Sequence, residues 1–134
     1  LVAADSPRLG HILDMLEDPA ELWTAYGIRS LSARDTYYGK DENYWRGPIW
    51  LNINYLVLAA LHKTYAALPG PFREQAARIY RGLRENLIAN VLGQYDKTGF
   101  FWENYSAEDG HGQGTHPFTG WTSLIVLIMA EQYQ

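Results

Sequence analysis

The sequence predicts an all-α chain whose helices pair into the inner and outer layers of a helical barrel, with two long loops between them. Three observations carry this. The segment after Pro48, through Ala67, is helical in pattern yet apolar on nearly every side, as a helix buried all round is. The segment that follows is amphipathic, as an outer helix would be. Two stretches, Gly27 to Gly47 and Phe100 to Phe118, sustain no period but hold many of the aromatic residues. A free-standing four-helix bundle is the alternative, and it offers few partners to cover the 49–67 segment.

Each element has a local reason. Ser6-Pro7 reads as an N-cap followed by proline at the first helical position, opening a helix through Glu17. Leu9, Ile12, Leu13 and Leu16 give it one apolar face. Asp18-Pro19 repeats the start signal, so a second short helix is expected through Trp23. After the 27–47 connection, Ile49, Ile53, Leu56, Ala60 and Tyr65 belong to the apolar helix, which Leu68-Pro69-Gly70-Pro71 breaks. A third helix is expected from Phe72 to Leu92, with Phe72, Ala76, Ile79, Leu83, Leu87 and Val91 as its buried stripe. Arg73, Glu74, Arg78, Arg81 and Glu85 form its solvated face. Asp96-Lys97-Thr98-Gly99 reads as a turn, and a last apolar helix is expected from Thr122 to Gln132.

Composition narrows the function. The 134 residues are 47% hydrophobic and 19% charged, enough to bury a core. A net charge of −4 lacks the positive footprint of a nucleic-acid binder. The longest apolar run, Leu124 to Ala130, is too short for a membrane span, and no signal peptide is expected at the start. Leu1-Val2-Ala3-Ala4 has no initiator Met and reads as though something came before it. Without cysteine there are no disulfides and no thiolate metal ligands. Aromatic residues make up 14% of the chain, with five Trp and ten Tyr.

Those aromatics mark two segments with chemistry in them. In Tyr44-Trp45-Arg46-Gly47-Pro48-Ile49-Trp50-Leu51-Asn52-Ile53-Asn54-Tyr55, flat rings suit the C–H face of a pyranose, while Arg and Asn supply directional bonds to hydroxyls. Trp45 and Arg46 are the candidates for sugar contact; Trp50 serves equally well as a packing anchor. The second segment holds Phe101-Trp102-Glu103-Asn104-Tyr105, then Asp109-Gly110-His111-Gly112-Gln113-Gly114 and Pro117-Phe118-Thr119-Gly120-Trp121. Glu103 is a carboxylate in an aromatic, weakly charged setting. Such a setting is expected to raise its pKa and suit it to general-base work, although an acid beside a Trp also serves as a hydrogen-bonded structural group. The glycines lack the P-loop ending and are expected to let a mobile loop turn tightly. Glu103, His111 and His116 lack the helical spacing of a zinc motif, so no metal or other cofactor is expected. Asn104-Tyr105-Ser106 is read as an accidental glycosylation sequon.

Tyr44-Trp45-Arg46-Gly47-Pro48-Ile49-Trp50 with Asn52-x-Asn54-Tyr55-Leu56, then Trp102-Glu103-x-Tyr105, then Pro117-Phe118-Thr119-Gly120-Trp121-Thr122-Ser123-Leu124, closely resembles the C-terminal part of the catalytic domain of glycoside hydrolase family 63. The likeness runs from about Leu22 to the end, in order, and points to the family's eukaryotic oligosaccharide-processing α-glucosidases. It implies the C-terminal portion of an (α/α) toroid of six helical hairpins, and inverting removal of a terminal α-1,2-linked glucose from the N-glycan precursor. The substrate would be a glucosylated high-mannose oligosaccharide in the endoplasmic reticulum lumen, and the full-length protein would be membrane-anchored. By position in the motif Glu103 would be the general base, with Trp45, Arg46, Tyr105, Phe118 and Trp121 on the sugar pocket. The family's general acid is an Asp upstream of this segment, so the missing N-terminal part of the domain would be an obligatory partner and the chain alone would be inactive. A non-catalytic helical module for carbohydrate binding or scaffolding is the alternative.

Overall fold

The computed structural model describes residues 2–133. Helix α1 spans Pro7–Glu17 and begins where the sequence predicts, with the Ser6 hydroxyl accepting from the Arg8 amide at 3.3 Å. Leu9, Leu13 and Leu16 are buried, while Ile12 stays 41% exposed.

No second helix follows. The Asp18 side chain accepts from the Ala20 amide at 2.8 Å and starts a turn, but the chain then folds into a short antiparallel pair, β1 (Trp23–Thr24) with β2 (Gly27–Ile28). The reason is tertiary. Arg29 Nη1 donates to the carbonyls of Pro19 (3.0 Å), Glu21 (3.3 Å) and Trp23 (2.9 Å), gathering oxygens that a helix would have used internally. Asn54 holds the other side. Its side-chain amide accepts from the Ile28 N–H at 2.9 Å and donates to the Ile28 carbonyl at 3.1 Å, and also to the Trp50 carbonyl at 2.9 Å. Asn54 is therefore a buried, fully occupied structural amide, not one free to bind sugar hydroxyls.

Helix α2 spans Leu51–Ala60 and widens into a π-helical turn at Leu61–Tyr65, ending before the predicted Pro-Gly break. Leu51, Tyr55, Leu58, Leu61 and Tyr65 enter the core. Within this chain α2 is not enclosed on all sides: Leu56 is 68% exposed.

Helix α3, Arg73–Thr98, runs six residues beyond its expected end because the predicted Asp-Lys-Thr-Gly turn is reduced to one residue. Gly99 takes the left-handed conformation (φ 76°) and returns its N–H to the Tyr95 carbonyl at 2.7 Å, a helix C-cap that glycine adopts without strain. Ala76, Ile79, Leu83, Leu87 and Val91 are buried as expected, and the arginine face is exposed. This helix packs against α1, α2 and the last helix, α4 (Leu124–Met129). Helix α4 is shorter than expected, preceded by a 3-10 turn at Trp121–Ser123. Arg84 of α3 closes its end, donating to the carbonyls of Ile128 (3.0 Å) and Met129 (2.7 Å).

Between α3 and α4 a second short antiparallel pair forms, β3 (Asn104–Tyr105) with β4 (Gly112–Gln113). One bridge joins the two long loops: Ile49 N–H donates to the Tyr105 carbonyl at 2.8 Å and Tyr105 N–H to the Ile49 carbonyl at 3.0 Å. Residues 56 positions apart in sequence thus share one backbone ladder, and that sets the aromatic 44–50 segment beside Glu103. None of the helices described here is long and apolar enough to cross a membrane.

Candidate active site

Glu103 is held from its backbone outward. Its N–H donates to the Thr115 carbonyl at 3.0 Å, and its own carbonyl accepts from Trp121 Nε1 at 2.6 Å. The preceding carbonyl, of Trp102, accepts from the Thr122 hydroxyl at 2.6 Å. The 3-10 turn at Trp121–Ser123 therefore grips both peptide units around the acid. The carboxylate is gripped as well: Oε1 accepts from the Tyr44 hydroxyl, and Oε2 from the Thr115 amide at 3.0 Å.

These bonds reverse one expectation. The Thr115 amide first, and the Tyr44 hydroxyl second, hold the Glu103 carboxyl below the usual glutamate range, against a smaller opposing effect of desolvation. The aromatic setting suggested a raised value; donors aimed at the ionised form outweigh it. Two glycines make room. Gly114 has φ 74°, and a Cβ there would lie 2.6 Å from Glu103 Oε2. A Cβ on Gly112 would lie 2.1 Å from the Trp102 ring. The glycines expected to give a mobile loop instead allow close approach, and Gly112 is paired in β4.

Around the acid the rings form one connected cluster. Trp45 stacks on Trp50 with centroids 4.0 Å apart and planes at 28°, and Tyr44 meets Trp50 edge-on at 4.6 Å. Trp121 lies 5.5 Å from Trp50 and 5.0 Å from Phe118. Trp50 is completely buried, which settles it as the packing anchor; Trp45, stacked on it, is 48% exposed and presents a face outward. Phe118 and Trp121 are half-buried. Trp45, Phe118, Trp121 and Glu103 are thus brought together.

Tyr105 and Arg46 stand apart. Tyr105 is 0% exposed, its phenol pushed up to about 12 by burial, so in this structure it is a core residue under the site rather than a lining one. Arg46 lies against Asp41 (3.6 Å), donates to the Lys40 carbonyl at 3.2 Å and sits 5.2 Å from the centre of the Tyr37 ring, so its charge is already answered locally. Arg46 and Tyr44 do line a cleft of about 580 Å³, whose opposite wall includes Trp102, Asn104, Glu108, His111 and Gln113. Glu108 accepts from the Tyr38 hydroxyl at 2.8 Å, and His111 Nδ1 lies 2.5 Å from Asp109 Oδ1. His116 lies over the Trp102 ring at 3.8 Å, so neither histidine is directed at Glu103 as a shared metal site requires. The sequon residue Asn104 is 4% exposed, which leaves its amide little access.

Tyr44 and Thr115, the two partners of the carboxylate, are the residues of the candidate site that sequence reasoning missed. Tyr44 stood inside a quoted motif, but a pairing across 59 positions leaves no mark in local spacing.

A profile of the Glycosyl hydrolase family 63 C-terminal domain matches residues 1–131. The chain is 53% identical over 133 residues to the probable mannosyl-oligosaccharide glucosidase of Schizosaccharomyces pombe, covering 99% of this chain and 16% of that protein. It is 43% identical over 132 residues to the mannosyl-oligosaccharide glucosidase of Saccharomyces cerevisiae, covering 96% of this chain and again 16% of the relative. The chain therefore spans a small part of the length of these relatives. Among solved structures, the family 63 mannosylglycerate hydrolase of Thermus thermophilus in complex with glucose superimposes with a TM-score of 0.56 at 24% identity, over 91% of this chain and 26% of that one. That likeness speaks to the fold alone. With a profile match across nearly all its residues, the chain belongs to glycoside hydrolase family 63, in the C-terminal domain of that family.

Proposed function

We propose that this chain is the base-bearing part of an inverting α-glucosidase that removes the terminal α-1,2-linked glucose from a glucosylated high-mannose oligosaccharide. The observation that carries the reading is Glu103: a carboxylate whose two oxygens both accept hydrogen bonds, beside a cluster of tryptophan and phenylalanine rings. A base must be deprotonated when the substrate arrives, and the lowered pKa keeps it so. A low pKa also weakens proton affinity; tight positioning offsets that loss.

In the reaction Glu103 takes a proton from a water molecule, whose oxygen attacks C1 of the glucose. The bond from C1 to the leaving oxygen breaks, and that oxygen takes a proton from a second carboxylic acid. Inverting enzymes hold the two carboxyls roughly 6.5–9.5 Å apart to admit the water. The second acid is an Asp in the remaining part of the domain, outside this chain. Trp45, Phe118 and Trp121 offer apolar faces to the sugar, and the cleft by Tyr44 and Arg46 takes the hydroxyl-rich remainder.

The remainder of the domain completes an (α/α) toroid against α2 and α4, where Leu56 (68%), Val126 (63%) and Met129 (44%) are exposed. The whole protein works in the endoplasmic reticulum lumen, anchored to its membrane. Glu103→Gln in the complete enzyme tests the reading. Turnover is expected to disappear while binding of the oligosaccharide persists; retained turnover would assign the base to another residue. A binding module without catalysis would show sugar binding unchanged by the substitution and no turnover in the parent protein.

A further inference from the structure

We infer that Tyr44 is a positioning residue for the base: its hydroxyl and the Thr115 amide form a two-point clamp that fixes the plane of the Glu103 carboxylate. The inference rests on the reading of Glu103 as the general base.

The clamp is built from two distant loops. Tyr44 lies in the 3-10 turn Asn43–Trp45, and Thr115 follows Gly114 in the second loop. A carboxylate oxygen has two lone-pair directions, so one donor on each oxygen orients the group and leaves a direction free on each for water. The Tyr44 ring is itself fixed: it meets Trp50 at 4.6 Å and 70°, and Trp45 at 5.3 Å and 83°. Trp50 is fully buried, so the half-exposed Tyr44 ring rests on a core side chain. At the opposite oxygen, Gly114 admits no side chain without displacing the carboxylate. Both oxygens of the acid are therefore held by groups packed against their own surroundings.

Tyr44 also lines the cleft of about 580 Å³, and Glu103, which does not line it, accepts the Tyr44 hydrogen bond. A ligand in the cleft that touches the Tyr44 ring would thereby meet the group that sets the base. Among the described residues, the titratable neighbours on the packed elements are few. Tyr44 comes from the 3-10 turn, and His116, beyond Thr115, is turned onto the Trp102 ring. No charged side chain contributes to the displacement of the Glu103 carboxyl, whose causes are the Thr115 and Tyr44 bonds and desolvation. Removing the phenol hydroxyl thus removes a donor that favours the ionised acid, and the base becomes easier to protonate.

The test is Tyr44→Phe in the complete enzyme, which keeps the ring and its edge contacts. The expected result is a fall in kcat of roughly 10- to 100-fold with little change in KM, because the reacting group is misplaced rather than the sugar. The acid limb of the kcat/KM profile should move to higher pH. 3-Fluorotyrosine at position 44, a stronger donor, should move the same limb to lower pH. An unmoved acid limb in both variants, or a loss confined to KM, overturns the clamp. Glu103→Gln separates the two levels. If it abolishes turnover while both Tyr44 variants keep the parent profile, only the clamp fails; if it leaves turnover intact, the base assignment fails and the clamp with it.

Discussion

A methyl group at position 114 should disable the site, and position 99 provides the control for its backbone penalty. Gly114 has φ 74° and Gly99 has φ 76°, so Gly→Ala imposes the same backbone penalty at both. That penalty is about 1–2 kcal/mol for an L side chain in the left-handed region. The surroundings differ. A Cβ at 99 meets nothing within 4 Å, whereas at 114 it would lie 2.6 Å from Glu103 Oε2 and 3.0 Å from Glu103 Cβ. Ordinary contact requires the carboxylate oxygen to retreat by ~1 Å, and a displacement of that size at a reacting group costs on the order of 100-fold in rate. Rotation about the Glu103 side chain relieves the oxygen contact, but it gives up the Thr115 hydrogen bond and leaves the 3.0 Å approach to Glu103 Cβ, which the backbone fixes. Gly114→Ala should therefore lower kcat by on the order of 100-fold, about 2.7 kcal/mol in activation free energy. Its loss of stability should exceed that of Gly99→Ala, which carries the backbone penalty alone and should leave kcat unchanged. Steady-state kinetics and thermal unfolding of both variants of the complete enzyme decide it. If Gly114→Ala harms kcat no more than Gly99→Ala, the packing of the carboxylate against residue 114 has no catalytic meaning.

Two further outcomes follow from the same structure. Asn54→Ala removes a completely buried amide that serves both the N–H and the carbonyl of Ile28. Stranding those two groups should cost roughly 2–5 kcal/mol, read as a lowered denaturation midpoint of the complete protein; a loss below about 1 kcal/mol would contradict the account. Trp45→Ala removes the exposed partner of the Trp45–Trp50 stack, so KM for the oligosaccharide should rise clearly more than kcat falls, with a stability loss of about 1 kcal/mol. An unchanged KM would take Trp45 off the sugar-binding surface.

Local signals were readable wherever the interaction was local. Ser6-Pro7 starts α1 because a hydroxyl cap and a proline act within one turn. The stripe from Ala76 to Val91 buries one face of α3 because period alone defines it. The Tyr-Trp-Arg-Gly and Trp-Glu-x-Tyr segments were enough to point to the family. Where distant groups compete, the same signals misled. Asp18-Pro19 opens a turn rather than a helix, since Arg29 collects the carbonyls beyond it. Tyr105 shares a motif with Glu103 yet is enclosed, its backbone paired with Ile49.

From the sequence by itself come the helical character, the aromatic loops, the family and the acid at position 103. Those rest on residue type, short spacing and order along the chain. Only the tertiary structure decided the state of that acid. Its surroundings in sequence are aromatic, which by itself favours the neutral form; its surroundings in space are the Tyr44 hydroxyl and the Thr115 amide, which favour the charged one. A hydrogen bond acts over about 3 Å whatever the separation along the chain, so the partner that sets a charge need leave no trace beside it in the sequence.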